Sequence, residues 1–232
     1  MLRGRVNRQR ASSTRVEATF CFVDLEGFTA LTEAQGDDDA ADIATRFAEL
    51  TRSALAPGDR LVKTIGDAVL VTSPSADAGV ALIERLLTEA AQAPGIPALR
   101  AGLHHGGAVM RDGDVFGAAV NLAARVAAEA NAGEVLGTEP IAIAARDRGI
   151  PVAEIGPVSL RNVRGAVSLF SIALVLGATD TPVDPVCHAR VDRRGAAGHL
   201  HYRGSDYWFC SLACAAAFAS NPRWHTRQSA KP

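Results

Sequence analysis

A strong charge of either sign is missing from this chain: 24 Lys and Arg against 25 Asp and Glu leave a formal net charge of −1. No global field draws it to nucleic acid or to an anionic lipid surface, and neither partner is expected. Long apolar runs are missing too. The uncharged stretch at residues 165–179 is too short and too polar to cross a bilayer, and it alternates like a strand. The first residues contain no apolar signal region. Cysteine is scarce, four in 232 residues, which argues against a disulfide-stapled secreted scaffold. The combination predicts a soluble protein of the reducing cytoplasm, without a membrane span.

What the chain does have is apolar content for a substantial core, 48% of its residues, and a sharp change of composition near residue 180. Three of the four Cys, four of the six His, both Trp and both Tyr lie beyond that point. Gly177-Ala178-Thr179-Asp180-Thr181-Pro182 reads as a linker. The predicted organisation is a basic arm over residues 1–15, a main domain over 16–175, the linker over 176–183, a small domain over 184–226 and a tail over 227–232. The arm carries Arg3, Arg5, Arg8, Arg10 and Arg15 with no acid. A disordered, solvated segment is the ordinary use of such a run, and a nucleic-acid or membrane contact is the alternative.

Residues 18–24, A-T-F-C-F-V-D, read as a strand buried on both faces with Asp24 at its exit and Cys21 packed inside. Gly27 lets the chain turn, and Phe28-Thr29 opens a helical pattern whose first-turn N–H groups can receive an anion. An acid directly before a phosphate cradle repels its ligand unless a cation sits between them. Asp24 is therefore a candidate metal ligand. The acidic turn Asp37-Asp38-Asp39 opens a second helix with Ile43, Phe47, Leu50 and Leu55 on one stripe. Residues 61–67, L-V-K-T-I-G-D, and 68–72 form a hairpin bent at Gly66 that carries Lys63 and Asp67.

Ser73-Pro74 predicts the N-cap and first residue of the next helix, with Val80, Ile83, Leu86 and Leu87 inward. Strands at 99–104 and 108–111 follow, the second joined to 114–116 through Asp112-Gly113. From Gly117 the pattern is helical, and Asn121 and Arg125, four apart, share a face. The order β-α-α-β-β-α-β-β-α-β predicts an α+β fold: a ferredoxin-like sheet with helices packed on one face, plus a small Cys-rich domain.

Two acids at strand ends, Asp24 and Asp67, suffice to hold a pair of Mg²⁺ ions against a polyphosphate. Arg125 offers a bidentate donor for charge growing on phosphorus, and Arg100 and Arg164 are candidate phosphate contacts. A lone K-x-x-G-D marks nothing more than a solvated hairpin tip. Three segments in one order carry more: residues 22–29 (F-V-D-L-E-G-F-T), 61–67, and 114–125 (D-V-F-G-A-A-V-N-L-A-A-R). Together they resemble the catalytic signature of the class III nucleotidyl cyclases, the adenylate and guanylate cyclase family, over roughly residues 16–175.

The resemblance implies two Mg²⁺ or Mn²⁺ ions per site on Asp24, Asp67 and the Leu25 carbonyl, beside the turn at Gly27, Phe28 and Thr29. It implies that Lys63 and Asp114 select adenine, that Asn121 orients the ribose and that Arg125 stabilises the transition state. A Lys donor with an Asp acceptor does complement N1 and N6 of adenine, whereas guanine wants an acid at the Lys position. ATP is the expected substrate, attacked by its own 3′-hydroxyl to give 3′,5′-cyclic AMP and pyrophosphate; a guanylate or promiscuous cyclase is the alternative. The implied assembly is a head-to-tail homodimer, with the metals on one chain and Lys63, Asp114, Asn121 and Arg125 from the other. A rival of another class is a non-enzymatic metal-sensing protein that keeps the cyclase fold as a dimerisation scaffold. The intact polar set argues against it.

The last cysteines are spaced C-x22-C-x3-C at Cys187, Cys210 and Cys214, a pattern that can chelate one soft divalent metal such as Zn²⁺. With Phe218 and Pro222, the segment resembles the YHS domain family, relatives of the TRASH metal-binding domains. His188 stands where such relatives usually have glycine, and the fourth ligand stays open. A disulfide or unligated thiols in a small aromatic fold is the alternative.

Overall fold

The structure is a computed structural model and describes residues 13–174 and 182–228. Of the basic arm, residues 1–12 lie outside that description, as do residues 175–181 of the linker and 229–232 of the tail. Two predicted boundaries shift. Strand β1 (Ser13–Leu25) already contains Arg15, and the last helix runs through Gln228.

After β1 come α1 (Phe28–Gln35), α2 (Asp37–Ser53), β2 (Arg60–Ile65), β3 (Ala68–Ser73), α3 (Ala76–Gln92), β4 (Leu99–Arg111), β5 (Asp114–Phe116), α4 (Ala118–Glu129) and β6 (Val135–Gly137). Then follow α5 (Glu139–Asp147), β7 (Val152–Ser159) and β8 (Ala166–Ile172). The α+β class and the element order through β6 are as expected. The main sheet runs β2-β3-β1-β4-β6-β8-β7, with β5 pairing β4 off that path.

Strand β1 lies between β3 and β4, antiparallel to both. Its adjacent residues Phe20 and Cys21 are both fully buried, so both faces of the sheet must be covered. Cys21, Val23 and Val71 pack on one side with Ile43, Phe47, Val80 and Ile83 from α2 and α3. Phe20 and Leu70 pack on the other with Val120 and Ala123 from α4. The expectation of helices on one face is thus corrected: α4 takes the second face. It lies close enough that a Cβ at Gly102 of β4 would strike the Ala127 backbone.

Two local readings also change. Strand β4 is one thirteen-residue strand rather than two, because Gly106 and Gly107 interrupt its apolar pattern without breaking its pairing to β1. The cap of α3 is Ser75, whose hydroxyl accepts from Ala78 N, while Ser73 ends β3 and donates to Asp59 at 2.6 Å.

The C-terminal segment forms a hairpin of β9 (Gly198–Tyr202) and β10 (Ser205–Phe209), then α6 (Leu212–Ser220) and α7 (Pro222–Gln228). Phe218 is its centre, with the Tyr207 and Phe209 rings at 4.8 and 5.2 Å. Its apolar cluster is continuous with the core of the sheet, since Val186, Phe209 and Phe218 join Leu31 and Leu99.

Candidate active site

Strand β1 delivers Asp24 on the α4 side of the sheet, in register with Phe22 and Phe20. The β2–β3 turn, with Gly66 at φ 63, brings Asp67 beside it, and Leu25 N donates to the Asp67 carbonyl at 3.3 Å. Burial and then the Asp24 charge push the Asp67 carboxyl above the ordinary carboxylate range. Arg100, opposite Asp24 in β4, forks onto Asp24 Oδ2 and comes within 3.4 Å of Glu26 Oε2. Gly27, at φ 72, opens α1 without a side-chain cap, so the first-turn N–H groups at Phe28 and Thr29 have no intrahelical acceptor. Asp24, Leu25, Asp67, Gly27, Phe28, Thr29 and Arg100 are therefore gathered at one end of the sheet.

A second group forms around Lys63, which sits at a bulge in β2. Strand β4 turns back through Asp112 (φ 51) and Gly113 (φ 81), and this short hairpin returns β5 against β2. Lys63 Nζ meets Asp114 Oδ2 at 2.8 Å, and Val115 N donates to Asp114 Oδ1 at 2.8 Å. The Lys63 bond, then the backbone bond, hold the Asp114 carboxyl below its ordinary value. Asn121 is exposed and Arg125 half-buried on α4. Among the described residues, neither side chain has a hydrogen bond or ion pair. Arg164 is exposed between β7 and β8, at the opposite edge of the sheet from β2, and joins neither group.

The late cysteines converge. Cys187 and Cys210 Sγ lie 3.3 Å apart and Cys210 and Cys214 Sγ 3.8 Å apart, all unbridged. Hydrogen bonds from Cys187 and Cys210 hold Cys214 well below the ordinary thiol range, while Cys187 is pushed up, first by its bond with Cys210 and then by its bond with Cys214. Ser211, the α6 cap, accepts from Cys214 N, which places that sulfur at a helix start where a thiolate is favoured.

Two neighbours of this cluster escaped the sequence reading. Asp184, fully buried, brings a carboxylate oxygen within 4.8 Å of the thiols while accepting from Val186 N and Cys210 N. Gln35, the last residue of α1, donates to Cys210 Sγ at 3.3 Å across 175 residues. The first had a local signal in D-P-V-C, an Asx-type turn; the second had none.

Residues 11–173 match the family model described as the adenylate and guanylate cyclase catalytic domain. Over 169 residues the chain is 37% identical to the pH-sensitive adenylate cyclase MT1302 of Mycobacterium tuberculosis, a match covering 71% of this chain and 42% of that protein. Over 106 residues it is 38% identical to an adenylate cyclase of Streptomyces griseus, covering 45% of this chain and 27% of that one. The chain spans well under half the length of these curated relatives. Among solved structures, an adenylate/guanylate cyclase/hydrolase from Silicibacter pomeroyi superposes with a TM-score of 0.62 at 25% identity, over 69% of this chain and 98% of that one. The adenylyl cyclase CyaB of P. aeruginosa shares the fold, with a TM-score of 0.59 at 23% identity over 69% and 95%.

Proposed function

The chain belongs to the adenylate and guanylate cyclase catalytic-domain family, and from that premise we propose that it is an adenylate cyclase, converting ATP to 3′,5′-cyclic AMP and pyrophosphate between two head-to-tail copies. The observation that carries the reading is the convergence of Asp24, at the end of β1, and Asp67, in the β2–β3 turn, beside an uncapped helix start.

Two neighbouring carboxyls, one pushed toward its neutral form by burial and by the other's charge, suit a cation between them. Hard oxygens suit Mg²⁺ or Mn²⁺, with Asp24, Asp67 and the Leu25 carbonyl as holders. Bound there, a divalent pair would acidify the 3′-hydroxyl and neutralise the leaving pyrophosphate. The chain's own groups do the rest. First-turn N–H groups of α1 receive a phosphate, and Arg100 exchanges Asp24 for a phosphate oxygen once that carboxylate has another cation. Lys63 donates to adenine N1 while Asp114 accepts from N6.

Asn121 orients the ribose and Arg125 steadies charge on the α-phosphorus, both in the site of the second copy. The absence of a partner for either side chain among the described residues supports that assignment. So do Phe116 and Val109, paired across the β4–β5 hairpin and 53% and 36% exposed at a groove of about 550 Å³. We further propose that the C-terminal segment is a YHS-like module holding one soft divalent cation on Cys187, Cys210 and Cys214. Arg164 has no supporting contact as a phosphate ligand.

The test is turnover of ATP and GTP by the full chain with Mg²⁺ or Mn²⁺. Cyclic AMP as the main product, lost in Asp24→Asn and Asp67→Asn, is the expected result. A folded dimer that cyclises neither nucleotide overturns the reading, and preference for GTP overturns its choice of base.

A further inference from the structure

His188 has a Cβ, yet its backbone sits at φ 59, in the left-handed region that glycine enters freely and other residues rarely do. Something must hold it there. Its imidazole lies on Gly27: a Cβ built on Gly27 would meet His188 Cδ2 at 2.6 Å and the Cys187 carbonyl oxygen at 3.4 Å. Its own carbonyl accepts from Ala98 N at 3.2 Å, and the Ala98 carbonyl accepts from Glu26 N at 2.8 Å. Pro97 and Ala189 pair beside these bonds. The segment after Cys187 thus pairs with the chain just before β4, beside the end of β1 where Asp24 leaves the sheet, and the His188 ring braces the turn into α1.

The other end of α1 meets the same cluster. Gln35 Nε2 donates to Cys210 Sγ at 3.3 Å and lies 4.0 Å from Cys187 Sγ. The loop from Asp184 to His188 is closed on itself by His188 N to the Asp184 carbonyl at 2.9 Å. Beyond that, it is tied to β10 and α6 by thiol contacts and by the Asp184 bond to Cys210 N. A cation on the three sulfurs replaces those thiol contacts with metal–ligand bonds and fixes Cys187, the residue before His188.

We propose that His188 is a positioning residue that couples the cysteine cluster to the phosphate-binding turn, so that a soft divalent cation on Cys187, Cys210 and Cys214 tightens the binding of Mg²⁺–ATP at Asp24, Asp67 and the α1 start. This rests on the reading of both sites given above. The two ends of α1 answer to one cluster, which ordering of the Asp184–His188 loop would stiffen.

The test uses the full chain, Zn²⁺ as the probe, and the Mg²⁺ complex of 3′-deoxy-ATP, which lacks the attacking hydroxyl and so reports binding without turnover. Zn²⁺ loading of the wild type should tighten analogue binding about fivefold or more. His188→Gly relieves the left-handed strain and is expected to fold, to keep its bound Zn²⁺, and to lose that response. Cys210→Ser should take up no Zn²⁺ at the cluster and give no response, which separates the effect from Zn²⁺ at the aspartates. If the wild type binds Zn²⁺ at the cysteines but His188→Gly responds as the wild type does, or neither responds, the coupling is overturned while the metal and cyclase readings stand. If the wild type binds no Zn²⁺ at the cysteines, the metal reading falls and the coupling with it. Failure of the analogue to bind even the Zn²⁺-loaded wild type sinks the cyclase reading and, with it, the coupling.

Discussion

The guanidinium of Arg100 forks onto a single oxygen of Asp24, with Nε at 3.0 Å and Nη2 at 2.6 Å, so a side-chain cation stands against the carboxylate proposed to hold a metal. Both partners are largely enclosed, at 31% and 21% side-chain exposure, which leaves the bond only partly screened. Removing the guanidinium leaves Asp24, Glu26 and Asp67 facing one another. Arg100→Ala should therefore lose about 1 kcal/mol of stability in chelator, and Mg²⁺ should restore more of it than it adds to the wild type. Thermal melts with and without Mg²⁺ check this. Equal Mg²⁺-induced shifts in the two proteins would show that Arg100 does not neutralise the acids.

Asp67 sets a pH dependence of known sign. Burial and the Asp24 charge raise its folded-state pKa, so the folded chain holds this proton more tightly than the unfolded one. Below the ordinary carboxylate value both states are protonated and the group contributes nothing. As pH rises from there to the raised value, the unfolded chain ionises first and stability declines. Asp67→Asn has no such proton to lose. In chelator it should be the more stable protein at neutral pH, show a flatter stability curve across that interval, and have no cyclase activity. Urea unfolding at a series of pH values decides it; parallel curves for the two proteins would refute the assignment.

Much of this arrangement was readable because its signals are local. The apolar run ending in Asp24, the glycine bend before Asp67 and the Asp112-Gly113 turn each specify backbone geometry within a few residues. What escaped depends on partners far away in sequence. The side of the sheet taken by α4 is settled by Gly102 against Ala127, not by the helix's own stripe. Ser73 has the chemistry of a cap, but Asp59 engages its hydroxyl first. No pattern within α1 announces that Gln35 reaches Cys210, or that Gly27 lies under His188.

The Lys63–Asp114 pair makes the base-reading test sharper than a single exchange allows. At 2.8 Å, Lys63→Glu alone would set a carboxylate against Asp114 and penalise either purine. The single variant should lose turnover with ATP and gain little with GTP. Adding Asp114→Asn removes the repulsion and supplies an amide donor for guanine O6, while Glu at 63 accepts from N1 and N2. The double variant should prefer GTP, read from the ratio of kcat/KM for the two nucleotides. A double variant that keeps the ATP preference would mean that these side chains do not read the base.

Among the described residues, Asn121 and Arg125 of α4 have no hydrogen-bond or ion-pair partner, whereas Asp24 comes from the end of β1 and Asp67 from the β2–β3 turn. If each catalytic centre draws its metal ligands from one copy and its arginine from the other, damage to different halves can be complemented. Asp24→Ala and Arg125→Ala homodimers should both be inactive. In an equal mixture after subunit exchange, about half the dimers are mixed and each holds one intact centre of two, so roughly a quarter of wild-type activity should return. Activity is assayed against the mixing ratio, with dimer content followed by light scattering. Mixed dimers that form and stay inactive would place the whole centre within one chain.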